Sequence, residues 1–121
     1  MEFEFDDKTP IYIQLVEQIK IHIISGRLKA GDKLPSVREL ALQLKINPNT
    51  VQKAMVELED LALIYTERTN GKFVTDNQRL LDKYKMNYAL KLSNNFFDSM
   101  ESIGFSKKDA IKYLKNMDGD K

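Results

Sequence analysis

A mainly α-helical fold carrying one small β-hairpin is predicted by three features of this 121-residue sequence. Apolar residues recur at spacings of three and four in five separate stretches, the mark of amphipathic helices. Asn70-Gly71 stands between two runs rich in branched and aromatic residues, which is the strongest short hairpin signal. Prolines and glycines fall at the edges of the helical stretches rather than inside them.

The elements follow in order. Met1–Thr9 reads as an extended or frayed arm. Thr9-Pro10 starts the first helix, since Pro10 lacks only an N–H that the first turn leaves unbonded anyway. Ile11, Leu15, Ile19 and Ile23 form its stripe, Tyr12 and Val16 widen it, and Gly26 caps its end. His22 lies one position off the stripe, with no second histidine or cysteine nearby, so neither a metal nor a cofactor is expected there. Gly26–Leu34 reads as a loop anchored to the core by Leu28 and Leu34.

Leu34–Ala54 is the stretch around which the rest is organised. Pro35 and Ser36 open a short helix, Ser36 as cap, whose apolar stripe is Val37, Leu40, Ala41 and Leu44. Lys45-Ile46-Asn47-Pro48 breaks the pattern, with Asn47 a good cap and Pro48 suited to the first helical position. The next stripe is Val51, Ala54, Met55, Leu58 and Leu61. Its solvent side opens with Asn49, Thr50, Gln52 and Lys53, all able to hydrogen-bond and none acidic. An ordinary helical hairpin would share the two stripes, but the polar, non-acidic opening of the second helix describes a helix-turn-helix. Net charge is only +1, yet between Arg27 and Lys53 six basic residues face two acidic ones. The acids are displaced to both flanks, so the basic excess sits on the helix-turn-helix, as a phosphate-contacting face requires.

Ile64–Arg68 and Lys72–Thr75 are the β-prone runs, turned by Thr69-Asn70-Gly71. A hairpin directly after a helix-turn-helix is a wing, and Arg68 and Lys72 flank its tip. Beyond it, Leu80, Leu81, Tyr84, Tyr88, Leu92, Phe96, Met100 and Ile103 continue at helical spacing until Gly104. Ser106 and Asp109 resemble a capping box, and Ala110, Ile111, Tyr113, Leu114 and Met117 make a second, shorter stripe before a polar tail at Asp118–Lys121. A long stripe with one short helix to cover it calls for a further partner, either the chain's own first domain or the same stripe of a second copy. The aromatic cluster Tyr84, Tyr88, Phe96 and Phe97 also admits a small-molecule effector.

Pro10-Ile11-Tyr12-x-Gln14-Leu15, Gly26-x-Leu28-x-x-Gly31-x-x-Leu34-Pro35-Ser36-x-Arg38-x-Leu40-Ala41-x-x-Leu44, Asn47-Pro48-Asn49-Thr50-Val51-x-Lys53-Ala54-x-x-x-Leu58 and Gly71-x-Phe73-Val74 together resemble the GntR family of bacterial transcription regulators. Two positions depart from the family pattern. Ala62 replaces the usual glycine ahead of the wing, and the tip reads Thr69-Asn70-Gly71 where the family has Gly-x-Gly.

The resemblance implies an N-terminal winged helix-turn-helix DNA-binding domain, residues 1–75, and a helical dimerisation region, residues 76–121, as in the YtrA-type subfamily. It implies a homodimeric repressor on an inverted-repeat operator in double-stranded DNA. Ser36 and Arg38 then face the backbone and groove edge, and Asn47, Pro48, Asn49, Thr50, Gln52 and Lys53 belong to the recognition helix. Arg68, Thr69, Asn70, Gly71 and Lys72 form the DNA-contacting wing, while Leu81, Tyr84, Tyr88, Leu92, Phe96 and Met100 line the dimer interface. Gln52 falls where many relatives have arginine; glutamine pairs with adenine, arginine with guanine.

Other functions find less support. The sequence has no cysteine, no phosphate-binding glycine loop and no metal-ligand spacing, so no enzyme is expected. No apolar stretch is long enough for a bilayer and the first residues are acidic rather than signal-like, so a cytoplasmic protein is expected. The alternative is a winged helix used for protein contacts, which would not need its basic residues gathered on the helix-turn-helix.

Overall fold

The computed structural model describes residues 2–118. Its elements are α1 (Ile11–Ile24), α2 (Val37–Leu44), α3 (Pro48–Asp60), β1 (Ile64–Glu67), β2 (Gly71–Val74), α4 (Gln78–Ser102) and α5 (Lys107–Met117). Two compact units divide the chain, residues 1–83 and residues 84–121.

In the first unit, α1 carries the arm. From Glu2 onward the arm is extended and fastened rather than frayed. The Gln18 side-chain amide accepts from the Glu4 N–H at 3.0 Å and donates to the Glu4 carbonyl. One turn earlier, Gln14 does the same for Asp6, at 2.9 Å in each direction, and also donates to the Thr9 carbonyl at 2.7 Å. Glutamines four residues apart lie on one helix face, so they form a short ladder for an extended backbone. The Phe3 ring covers His22, with centroids 5.3 Å apart. His22 is buried, and its Nδ1 lies 2.7 Å from the Gln18 carbonyl, an acceptor, so that nitrogen carries the proton.

Ser36 caps α2 in a reciprocal box: its hydroxyl accepts from the Glu39 N–H at 3.1 Å, and the Glu39 carboxylate accepts from the Ser36 N–H at 3.2 Å. Lys45, in the left-handed conformation (φ 57°), ends the helix and turns the chain toward α3. Asn47 caps α3, its Oδ1 accepting from the Asn49 N–H at 2.8 Å, with Pro48 in the first turn. The core joins Leu15, Ile19 and Ile23 of α1, Leu40 of α2, Val51, Met55 and Leu58 of α3, and Leu63, Ile64 and Val74 of the wing, all buried.

The exit from α3 shows what the chain demands at Ala62, where the sequence departs from the family pattern. The Leu63 N–H donates to the Leu58 carbonyl at 3.1 Å and the Ala62 N–H to the Glu59 carbonyl at 2.9 Å, which is the Schellman arrangement. It requires a left-handed residue at position 62, and Ala62 sits there with φ 61°. A side chain costs about 1–2 kcal/mol in that conformation, while glycine loses somewhat more entropy on folding. Ala62→Gly is therefore expected to raise stability by about 0.5–1 kcal/mol. A urea midpoint that stays put or falls would show that Ala62 is unstrained.

β1 and β2 pair antiparallel in the register Ile64↔Val74, Tyr65↔Phe73, Thr66↔Lys72 and Glu67↔Gly71. The turn differs from the expected one by a residue. Arg68-Thr69-Asn70 is the loop, closed by the Asn70 N–H on the Glu67 carbonyl at 3.1 Å, and Gly71 (φ 103°) leads the turn into β2 as its first residue. The segment read as a plain loop also joins this sheet. The Gly31 N–H donates to the Val74 carbonyl at 2.9 Å, the Val74 N–H to the Asp32 carbonyl at 2.8 Å, and the Leu34 N–H to the Lys72 carbonyl at 2.8 Å. Lys33 faces Phe73 in an antiparallel bridge. β2 is thus covered on both edges.

Asn77 caps α4 through the Leu80 N–H at 3.1 Å, and Leu81 is buried within the first unit. In the second unit, Gly104 (φ 99°) ends α4, with the Phe105 N–H on the Met100 carbonyl at 3.0 Å. Ser106 caps α5 by accepting from the Asp109 N–H at 3.1 Å. The return half of the expected capping box is not made, because aspartate is one methylene shorter than the glutamate that completes it at Ser36. Only Ala110 of the α5 stripe is buried; Ile111, Tyr113, Leu114 and Met117 are exposed. The polar tail beyond Asp118 lies outside the described residues.

Candidate nucleic-acid interface

The caps that build α2 and α3 also decide what each presents to solvent. Ser36 spends an acceptor lone pair on the helix and keeps its O–H as a donor. Arg38, in the first turn of α2, is exposed and carries a fork of donors suited to phosphate or guanine. Asn47 likewise commits its carbonyl oxygen to the cap and leaves its NH₂ free to donate. Asn49 and Gln52 are exposed along the first turns of α3, and Thr50 is half-buried between them. No acidic residue stands in the first turn of α3, so nothing cancels the partial positive charge of its N-terminus. The result is a donor-rich end of a helix, able to receive an anion or the edge of a base.

Lys53 is anchored rather than loose. Its ammonium lies 3.9 Å from the centroid of the Tyr12 ring on α1, a cation–π contact that aims a flexible side chain. Sequence reasoning placed Tyr12 only in the apolar stripe and missed this role; its position in the Pro10-Ile11-Tyr12 motif was the available signal.

At the wing, Tyr65 and Phe73 stack with centroids 5.7 Å apart and stiffen the hairpin. Arg68, Thr69 and Asn70 are exposed at the loop, with the Asn70 amide donating to the Glu67 carboxylate at 3.1 Å. Lys72 is placed differently from the others. Its ammonium pairs with the Glu59 carboxylate at 2.9 Å and donates to the Thr66 hydroxyl at 3.0 Å, while that hydroxyl donates to Glu59. Lys72 therefore ties the wing to the last turn of α3. Glu59 carries no local sequence signal for this part, because its partners arrive only when the wing folds back.

The Thr66 hydrogen bond and then the Lys72 hydrogen bond hold the Glu59 carboxyl below its ordinary value of 4.5; burial opposes them, and the Lys72 charge adds a lesser downward pull. With a depressed folded-state value, the latch contributes fully above the ordinary value and is lost as pH falls through the folded one. The pair is partly exposed, so its worth is at most about 1 kcal/mol. Wild type is expected to exceed Glu59→Gln in urea stability at neutral pH, the two converging as pH drops below 4.5. A gap that persists in acid would place the effect elsewhere.

Of the expected interface residues in the C-terminal part, Leu81 is filled within the first unit. Tyr84, Tyr88, Phe96 and Met100 are half-buried, and Leu92 is 63% exposed. Phe96 and Phe97 meet edge to face at 5.5 Å. A cleft of about 360 Å³ in the second unit is lined by other residues, among them Ile103, Phe105 and Tyr113. Among the described residues no cluster of three or more histidine, aspartate or glutamate side chains could hold a metal, and no helix is long and apolar enough to cross a membrane.

The sequence model for "Bacterial regulatory proteins, gntR family" matches residues 11–74. The chain belongs to the GntR family. It is 35% identical over 115 residues to an HTH-type transcriptional regulator of Bacillus subtilis, YhcF, covering 95% of both chains. Over 71 residues it is 49% identical to the transcriptional repressor YtrA of the same organism, 59% of this chain and 55% of that one. Its fold matches a GntR family transcriptional regulator from Listeria monocytogenes with a TM-score of 0.83 and 42% identity, covering 93% and 99% of the two chains. The DNA-binding domain of AraR, solved in complex with operator ORX1, matches at a TM-score of 0.56 and 29% identity, over 62% of this chain and 96% of that one. The YtrA-type resemblance and the mainly helical winged fold are thereby matched by solved and curated GntR relatives. Within this GntR chain, the altered tip still closes a regular hairpin, because Gly71 supplies the positive φ that the turn needs.

Proposed function

We propose that this GntR-family chain is a DNA-binding transcription regulator of the cytoplasm, a repressor that acts as a homodimer on an inverted-repeat operator. Residues 1–75 read the DNA and residues 76–121 pair the subunits. The observation that carries this reading is the N-terminal end of α3: exposed Asn49 and Gln52, the Asn47 NH₂ and an acid-free first turn, beside exposed Arg38. In a two-fold dimer the two copies of α3 enter successive major grooves, with each wing lying alongside. The YtrA likeness and the operator-bound AraR domain support the repressor assignment. Pairing through the C-terminal helices is supported by the exposed Leu92, Ile111, Leu114 and Met117, which a single chain leaves in water.

Fluorescence anisotropy against the DNA upstream of the protein's own gene, beside scrambled DNA of equal length, tests the reading. Saturable preference for the upstream duplex that weakens steeply with salt supports it. No binding to either duplex at low salt overturns it in favour of a protein-interaction module.

A further inference from the structure

Of the two basic residues of the hairpin, Arg68 is exposed at the loop and Lys72 is turned to α3. Lys72, the lysine of β2, is occupied by Glu59 at 2.9 Å and by Thr66 at 3.0 Å, and it faces the end of α3. Another lysine arrives from the edge of the sheet. Lys33 bridges Phe73 across the strand-like segment that precedes α2, and the Leu34 N–H locks that register on the Lys72 carbonyl at 2.8 Å. A Cβ placed on Gly71 would lie 3.2 Å from the Lys33 Cε and 3.9 Å from its Nζ. The lysine stem therefore crosses the wing over the bare glycine, and its ammonium ends beside the residue that closes the turn. Lys33 is exposed and forms no ion pair among the described residues.

We propose that Lys33 is the phosphate-contacting lysine of the wing, acting beside Arg68, while Lys72 holds the wing in place. This rests on the DNA-binding reading. An exposed ammonium at a wing tip adds one point charge to the backbone contact and releases counterion when a phosphate docks. It carries no base information, so its effect is the same for every sequence. Gly71 has two duties in this arrangement: it adopts the positive φ of 103° and it leaves open the space that Lys33 occupies.

The test uses the full chain, a duplex from upstream of its own gene and a mixed-sequence duplex of equal length, each titrated by anisotropy over a salt series. Lys33→Gln is expected to weaken binding to both duplexes by a similar factor, roughly three- to tenfold near 0.1 M salt, and to lower the slope of log K against log salt by about one. Lys33→Arg is expected to restore that slope. Thermal melts of both variants confirm that the fold is kept. An unchanged slope in Lys33→Gln, with wild type binding normally, overturns the proposal and leaves the DNA-binding reading standing. A slope lost in Lys72→Gln but not in Lys33→Gln returns the role to Lys72. Absence of wild-type binding to either duplex removes both readings together.

Discussion

Leu58→Ala is expected to cost about 2–5 kcal/mol, the range for a leucine removed from a packed interior. Leu58 is 0% exposed and sits among the side chains of α1, α3 and the wing. Its carbonyl also receives the Leu63 N–H at 3.1 Å, so the cavity opens where α3 hands the chain to β1. Small domains have only about 5–15 kcal/mol in total, so this loss is a large share of the whole. Leu42→Ala provides the contrast. Leu42 is 73% exposed on α2, and its removal should change stability by no more than about 0.5 kcal/mol. Urea denaturation of both variants checks the pair; a Leu58→Ala loss below about 1 kcal/mol would mean that this core is not formed as described.

Gln52→Arg is expected to change which base the recognition helix prefers. Gln52 is exposed on α3, one turn beyond Pro48 and clear of the Lys53–Tyr12 contact. A glutamine amide matches the donor and acceptor of adenine in the major groove, and an arginine fork matches the two acceptors of guanine. Each bidentate pairing carries roughly 1–3 kcal/mol of discrimination, about 5- to 150-fold in affinity. Binding selection from a randomised duplex library, run on both proteins, should show adenine replaced by guanine at one position of each half-site. Identical preferences at every position would remove Gln52 from base reading.

Much of this was legible because it is local. The stripes of α1, α2 and α3, the caps at Ser36 and Asn47, and the hairpin around Asn70-Gly71 depend on residues a few positions apart. The HTH face of the candidate site was legible for the same reason: its residues share two adjacent helices. Three parts were not. Gly31–Leu34 pairs with β2 only after α2 and α3 have brought the chain back, so nothing near it marks a strand. The pairing of Lys72 with Glu59 joins residues thirteen positions apart on different elements, so neither marks the other in the sequence. The arm read as extended or frayed; it is extended, and the fastening was not legible because what is held is its backbone.

The arm inverts the usual relation between a segment and its sequence. A primary amide carries a carbonyl acceptor beside N–H donors, so it can present the donor–acceptor pair that a peptide group offers to a neighbouring strand. Gln14 and Gln18 thus act on α1 as two rungs of a strand edge, binding positions 6 and 4 without regard to the side chains there. The arm can drift in sequence at Glu4 and Asp6 and still dock, whereas glutamate or leucine at either rung would break it. The information that specifies the first residues of this protein is written ten or so positions downstream of them, in a helix.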